Sequence, residues 1–524
     1  MRDFQSPGRS AVFAANGMCA TSHPLAAKTA IDILQAGGNA ADAAIATAMV
    51  LNFCEPHMTG LGGDCFVLLK PAGDEQVVAL NGSGRAPAAL DAADLRAKGL
   101  DEVPVYGVEA ITLPGAVDAF CKLNADWGRM ALGDILAPAI RYADQGVPVS
   151  PRTASDWARA THLQGAARRH YLLNDAAPHA GQLFRAPAQA EILRRIAREG
   201  RAGFYEGEVA QDLIDSLRAL GGCHTLDDLA ATQARHDDPI SSQYQGLELI
   251  EHAPNGQGAT ACLILNILAQ FDLAGMDPLG PERAHLEAEA TKLGYDARNR
   301  FLADPDHMTR LDHMLSPDTA TRLAGLIDPA RVLPDPAPLT EAIHRDTVYL
   351  TVVDSDGMAV SLIYSIFHGF GSGLASDRFG LLFQNRGAGF TLQEGHPNAL
   401  KGGKRPMHTI IPAMLRHEGR VIMPFGVMGG AYQPVGHARL LSNLVDFGMD
   451  LQSAIDAPRA FAEAGTLTLE RPYPEATFQA LQSLGHRVIR AETPMGGAQA
   501  IRMHPSGILE GASDPRKDGC ALGY

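Results

Sequence analysis

The chain has 524 residues, 46% of them hydrophobic, and a formal net charge of −15 with no clustered basic block. Such a length supports about two to four domains, or one large two-layered domain with additions, and the missing basic face argues against nucleic-acid binding. No run of about 18 apolar residues marks a membrane span, and the start, MRDFQSPGRSAVFAANG, lacks the pattern of a secretory leader, so a cytoplasmic protein is expected.

Residues Pro24 to Gly38 spell a helix with an Ala/Ile/Leu face that ends at Gly37-Gly38. A second, alanine-rich helix runs from Asn39 through Leu51. Gly60-Leu-Gly-Gly-Asp then leads into an apolar strand at Cys65–Leu69, with another strand near Val77–Leu80. The middle, about 115–330, is helix-rich, with helical spacing of apolar residues near 133–145, 188–200, 208–220 and 282–300. Residues 329–340 carry four prolines and read as an exposed, mobile linker. After it, 347–365 reads as a β-hairpin turning at Asp354-Ser-Asp-Gly. Further strands are expected near 379–384, 408–415 and 420–425, with helices near 434–447 and 475–484.

The seven cysteines are scattered, without CxxC, and suit reduced thiols better than disulfides or a zinc site. No GxSxG, GxGxxG or P-loop pattern occurs in the right context, so nicotinamide and ATP chemistry are unsupported. His285 and Glu289 stand at i, i+4 and could share a metal. Without HExxH, and in a charge-dense helix, they read as a solvated or interface face. No metal and no cofactor are expected.

Chemistry concentrates after the linker. Asp346-Thr347 opens a strand. Gly369–Gly373 and Gly426–Gly430 are glycine-rich turns able to present backbone N–H groups to an anion. Lys404-Arg405-Pro406-Met407-His408-Thr409 adds polar side chains at another strand's entry.

These segments, in order with Gly37-Gly-Asn-Ala-Ala-Asp-Ala-Ala, Thr59-Gly-Leu-Gly-Gly-Asp, Leu113-Pro-Gly-Ala, Glu287-Ala-Glu-Ala and Asp346-Thr-Val-Tyr-Leu-Thr-Val-Val-Asp-Ser-Asp-Gly, span nearly the whole chain. The sequence resembles the γ-glutamyltransferases and related acylases, which are N-terminal nucleophile hydrolases. The resemblance implies a four-layer αββα sandwich and a proenzyme that cuts itself between Asp346 and Thr347. The products would be a large chain, 1–346, and a small chain, 347–524, held in one folded unit. Thr347 would be the nucleophile. Its freed α-amino group, with an ordinary pKa of about 7.7–8.0, would serve as general base without a histidine. The resemblance also implies that Ser365 hydrogen-bonds the nucleophile, that Gly429 and Gly430 form the oxyanion hole, and that Thr351 lies near the reacting hydroxyl.

The sequence departs from the glutathione-using members. Their arginine before Ala-Pro is Ser83 here, with Arg85 two residues later. Their acidic pair after a Leu-Leu strand is absent, since Gln384-Asn385 follows Leu381-Leu-Phe. Their paired serines become His408-Thr409, and an asparagine becomes Phe367. A buried ammonium without a counter-charge is costly, so a γ-glutamyl group should bind poorly. GSGRAP, SIFHGFGSG, HTIIP and GVMGG are similar to a bacterial subgroup of glutathione hydrolase-like proenzymes, oxamate amidohydrolase and cephalosporin acylases. A small amide bearing a carboxylate is the expected substrate, held by some of Arg85, Arg386, His408 and Thr409. A γ-glutamyl hydrolase or transpeptidase, an uncut binding protein and a metal amidohydrolase are the competing readings; a homodimer of processed units is left open.

Overall fold

The computed structural model describes residues 8–334 and 347–524. Asp346 and the second half of the proline-rich stretch lie outside them. Strand Val348–Val353 shows how the architecture arises. Its alternating side chains face opposite ways. Val348, Leu350 and Val352 pack with helices Pro24–Gln35 and Ala40–Cys54, whereas Tyr349 and Val353 join residues of a second sheet. The antiparallel partner Ala359–Ser365 repeats the pattern. Val360, Leu362 and Tyr364 face the helices, and Ile363 meets Met428 and Ile410 between the sheets.

The first sheet orders its strands Cys520–Gly523, Met18–Thr21, Val348–Val353, Ala359–Ser365, Asp64–Lys70, Val78–Gly82 and Arg235–Asp237. The second runs Val12–Ala14, Leu509–Ser513, Gly497–Met503, Arg420–Met428, Ala413–His417, Leu247–Glu251 and Ile240–Tyr244. Helices Gly258–Leu268, Pro281–Phe301 and Gln433–Val445 cover its outer face. Four layers result, helix, sheet, sheet, helix, as expected. Both sheets draw strands from before and after Thr347, so a cut there leaves the layers interleaved.

Local sequence explains the tight first layer. Asn39 caps helix Ala40–Cys54 in a reciprocal box with Asp42, and every residue of that helix is buried. Asp354, in the hairpin turn, accepts the Ala40 N–H at 2.9 Å and so fixes the turn to the helix start.

Three expectations need correction. Residues 379–384 form no strand: Gly371, Gly373 and Gly380 all adopt positive φ, and the segment folds back as a loop in which Phe383 N–H bonds Leu374 O. The strand near 408–415 begins only at Ala413, because Pro406 and Pro412 remove donors from the approach. The start of the proline-rich stretch is pinned, with Val332 N–H on Leu484 O and Leu333 N–H on the Glu289 carboxylate.

Candidate active site

The hairpin register pairs Val348 with Tyr364, which sets Thr347 and Ser365 side by side at the ladder's end. Both are buried, and Thr347 Oγ1 lies 3.3 Å from Ser365 Oγ. The Ser365 hydroxyl also accepts Phe367 N–H at 2.9 Å and Arg386 Nη2 at 3.4 Å. Ser365 is therefore no solvent-face residue. Gly63 makes room for it: a Cβ there would stand 2.4 Å from Ser365 O.

Arg386 is 0% exposed. Its Nη1 donates to Thr409 Oγ1 at 3.0 Å, and its guanidinium stacks on the Phe367 ring at 3.9 Å from the centroid. Phe367 holds φ +82°, a costly conformation for a large side chain, and its ring stacks in turn on His368. One serine hydroxyl thus separates Thr347 from a buried cation.

Gly429 adopts φ +123°, and a Cβ there would meet Gly496 Cα at 2.8 Å. It ends strand Arg420–Met428, and Gly430 opens the turn into helix Gln433–Val445. Gln257 bridges this turn to the Arg386 partner: its Nε2 donates to Thr409 O at 2.6 Å and to Gly430 O at 2.9 Å. Arg298 holds the other end of that amide, with Nη1 3.2 Å from Gln257 Oε1. Helix Pro281–Phe301 thereby braces the site from the outer layer.

The remaining predicted residues fall elsewhere. His408 is buried, with Nε2 at 3.2 Å from Asp64 Oδ2. Burial, with the Arg386 charge adding to it, lowers the His408 pKa to about 3 against the opposing pull of Asp64. It is a neutral structural donor at pH 7. Asp64 Oδ1 also accepts Gly84 N–H, Gly115 N–H and Gln384 Nε2, which ties four separate glycine-rich and polar segments together. Arg85 turns outward instead, to Gly403 O at 2.8 Å and Asp304 Oδ2 at 3.4 Å. Thr351 stands four residues up the strand, about 13 Å from Thr347 along the chain, and its hydroxyl donates to Val360 O. Ser83 is buried and bonds Asn81 and Asn255.

Asp64, Gln257 and the stacking role of Phe367 escaped sequence reasoning. Asp64 carried a signal, as the last residue of Gly60-Leu-Gly-Gly-Asp. Gln257 carried none. His285 and Glu289 are buried rather than solvated; they form an interface with His486 and the 328–333 segment.

A cavity of about 310 Å³ adjoins the site beyond His368, lined by His57, Tyr106, Asp156, His162, His368 and Phe370 among others. Among the described residues no helix is long and apolar enough to cross a membrane.

The family model described as Gamma-glutamyltranspeptidase matches residues 26–524. The chain is 36% identical to the glutathione hydrolase-like YwrD proenzyme of Bacillus subtilis (strain 168), covering 97% of this chain and 98% of that one. It is 37% identical to the oxamate amidohydrolase proenzyme of Klebsiella pneumoniae subsp. pneumoniae, with the same coverage of 97% and 98%. Among solved structures it resembles the cephalosporin acylase from Bacillus halodurans, with TM-score 0.93, 38% identity and coverage of 100% and 99%. With the motifs, the four-layer sandwich and this similarity along nearly its full length, the chain belongs to the gamma-glutamyltranspeptidase family of amide-bond enzymes.

Proposed function

We propose that the chain is a self-cleaving amide hydrolase for small carboxylate-bearing amides, cut between Asp346 and Thr347. The observation that carries this reading is the Thr347–Ser365–Arg386 chain of contacts, which sets a hydroxyl nucleophile one serine away from a buried guanidinium. In the precursor, Thr347 Oγ attacks the Asp346 carbonyl carbon and the Thr347 nitrogen leaves. An ester results, and water hydrolyses it to a free Asp346 carboxylate and a free Thr347 amine. That amine then takes the Thr347 hydroxyl proton as the oxygen attacks a substrate amide. The amine or ammonia departs protonated, and water releases the acid from acyl-Thr347. Gly429 and Gly430 N–H groups stabilise the tetrahedral oxyanion, a contribution of about 3–4 kcal/mol per donor in comparable sites.

Arg386 holds the substrate carboxylate through charge-assisted bonds. His408 and Arg85 are not given that role, since one is a buried neutral strut and the other faces Asp304. Thr409 orients Arg386. A γ-glutamyl ammonium is disfavoured because Asp64 already accepts from Gly84, Gly115, Gln384 and His408. The cavity beside His368 favours a second reading, in which the acyl group is larger than oxamate and extends past Phe367.

Steady-state kinetics on oxamate, succinyl and glutaryl amides, beside γ-glutamyl-p-nitroanilide, test the substrate class. A carboxylate amide should exceed the γ-glutamyl substrate in kcat/KM by about tenfold or more, a difference of about 1.4 kcal/mol. A preferred γ-glutamyl substrate contradicts the reading.

A further inference from the structure

Away from Thr347, His285, Glu289 and His486 place one donor atom each within 4.8 Å of one another. We propose that these three residues bind one divalent transition-metal ion, zinc by the chemistry of the donors, which joins the portions of the chain before and after Thr347.

His285 and Glu289 are one turn apart on helix Pro281–Phe301, and His486 follows helix Glu475–Ser483; all three side chains are buried. His285 Nε2 lies 2.9 Å from Asp328 O. A carbonyl only accepts, so Nε2 carries the hydrogen, and Nδ1 offers a lone pair towards His486 Nε2 at 2.7 Å. An imidazole with one N–H on a backbone carbonyl and its other nitrogen turned inward is the usual posture of a metal-binding histidine. Glu289 is oriented the same way. Its Oε2 accepts Leu333 N–H at 2.9 Å, while Oε1 points towards His486 Nε2 at 3.9 Å.

Two imidazoles and a carboxylate suit zinc, with ligand distances of about 2.0–2.2 Å; a metal between the rings needs them only slightly further apart than their present hydrogen bond. A cavity of about 220 Å³, lined by His486, Lys292, Val332 and Leu333, gives water access to a fourth position. Lys292 competes for the site, since its Nζ lies 2.7 Å from Glu289 Oε1. It also lines the cavity and contacts Leu333 O, so it has somewhere to go. On binding, the shared proton passes from His486 Nε2 to its Nδ1, which frees the Nε2 lone pair, and the metal ion takes the place of the Lys292 ammonium beside Glu289. The ion is structural, because its neighbours are the 328–333 segment and not the nucleophile.

The test uses the full-length protein, stripped with a chelator and titrated with zinc chloride by calorimetry and thermal unfolding. One equivalent should bind with a Kd of about 1 µM or tighter, and Tm should rise by about 2 °C or more at saturating zinc. His486→Gln and Glu289→Gln should each weaken binding by about 100-fold or more. Lys292→Met should tighten it by about tenfold, because it removes a like charge at contact distance. If the ligand variants fail to fold, cobalt(II) loading of the unmodified protein decides: tetrahedral d–d bands without thiolate charge-transfer bands support the site, and thiolate bands place the metal on cysteine. No saturable zinc binding, equal binding by the variants, or no tightening by Lys292→Met overturns the proposal.

Discussion

Thr347 Oγ1 lies 3.3 Å from Ser365 Oγ because two antiparallel strands end in register. In the proposed function Ser365 positions Thr347, and it shares its hydroxyl with Arg386 and the Phe367 N–H. Ser365→Ala should lower kcat about tenfold, the worth of one well-placed hydrogen bond of about 1–1.5 kcal/mol. Self-cleavage should slow in parallel, as measured by the rate at which two chains appear on a denaturing gel. Unchanged rates for both steps would exclude the role.

Arg386→Met tests carboxylate recognition. Charge-assisted bonds are worth about 1.5–3 kcal/mol, so KM for a carboxylate amide should rise about 10- to 100-fold. A neutral amide of the same size should lose little. Equal losses on both substrates would show that Arg386 only supports the fold. Arg386→Lys should not rescue, since an ammonium cannot keep both hydroxyl contacts and the Phe367 stack.

Thr351→Val separates the resemblance from the geometry. The Thr351 hydroxyl serves Val360 O inside the sheet. The variant should cut itself and turn over at the normal rate, while losing about 1 kcal/mol of stability in denaturant unfolding. A large loss of turnover would return Thr351 to the reaction centre.

His408 makes stability depend on pH. Its folded pKa, lowered to about 3, lies below the value of about 6.5 expected when unfolded. Between those values the unfolded chain binds a proton that the folded chain refuses. Stability therefore falls as pH drops from about 6.5 towards 3, by up to about 1.4 kcal/mol per pH unit from this residue. His408→Gln, which keeps a donor for Asp64, should flatten the slope of urea midpoints between pH 6.5 and 5. Identical slopes would contradict the assignment.

Much of this was legible in the sequence where neighbours in the chain are neighbours in space. The hairpin was readable from β-branched alternation around Asp354-Ser-Asp-Gly, and its register brings Ser365 to Thr347. The Asn39 to Asp42 box reads directly as a helix start. Edge strand Ile240–Tyr244 and its neighbour Leu247–Glu251 were hidden in a helix-rich stretch, although Ile240, Ser242 and Tyr244 alternate buried with exposed neighbours. Arg85 was a candidate by its place beside Ala-Pro, but its side chain leaves the buried face that Ser83 keeps. Gln257 and Thr409 stand 152 positions apart, and only the packed sandwich joins them. The same holds for His285 and His486, 201 positions apart.

The cut itself tests the central claim most directly. Intact mass and N-terminal sequencing of the purified protein, beside Thr347→Ala, read it in one experiment. The account predicts two chains from the unmodified protein, the smaller beginning at Thr347, and a single uncut chain from the variant. A single uncut chain from both, or a cut elsewhere that the variant also makes, contradicts it and brings the non-catalytic binding protein forward.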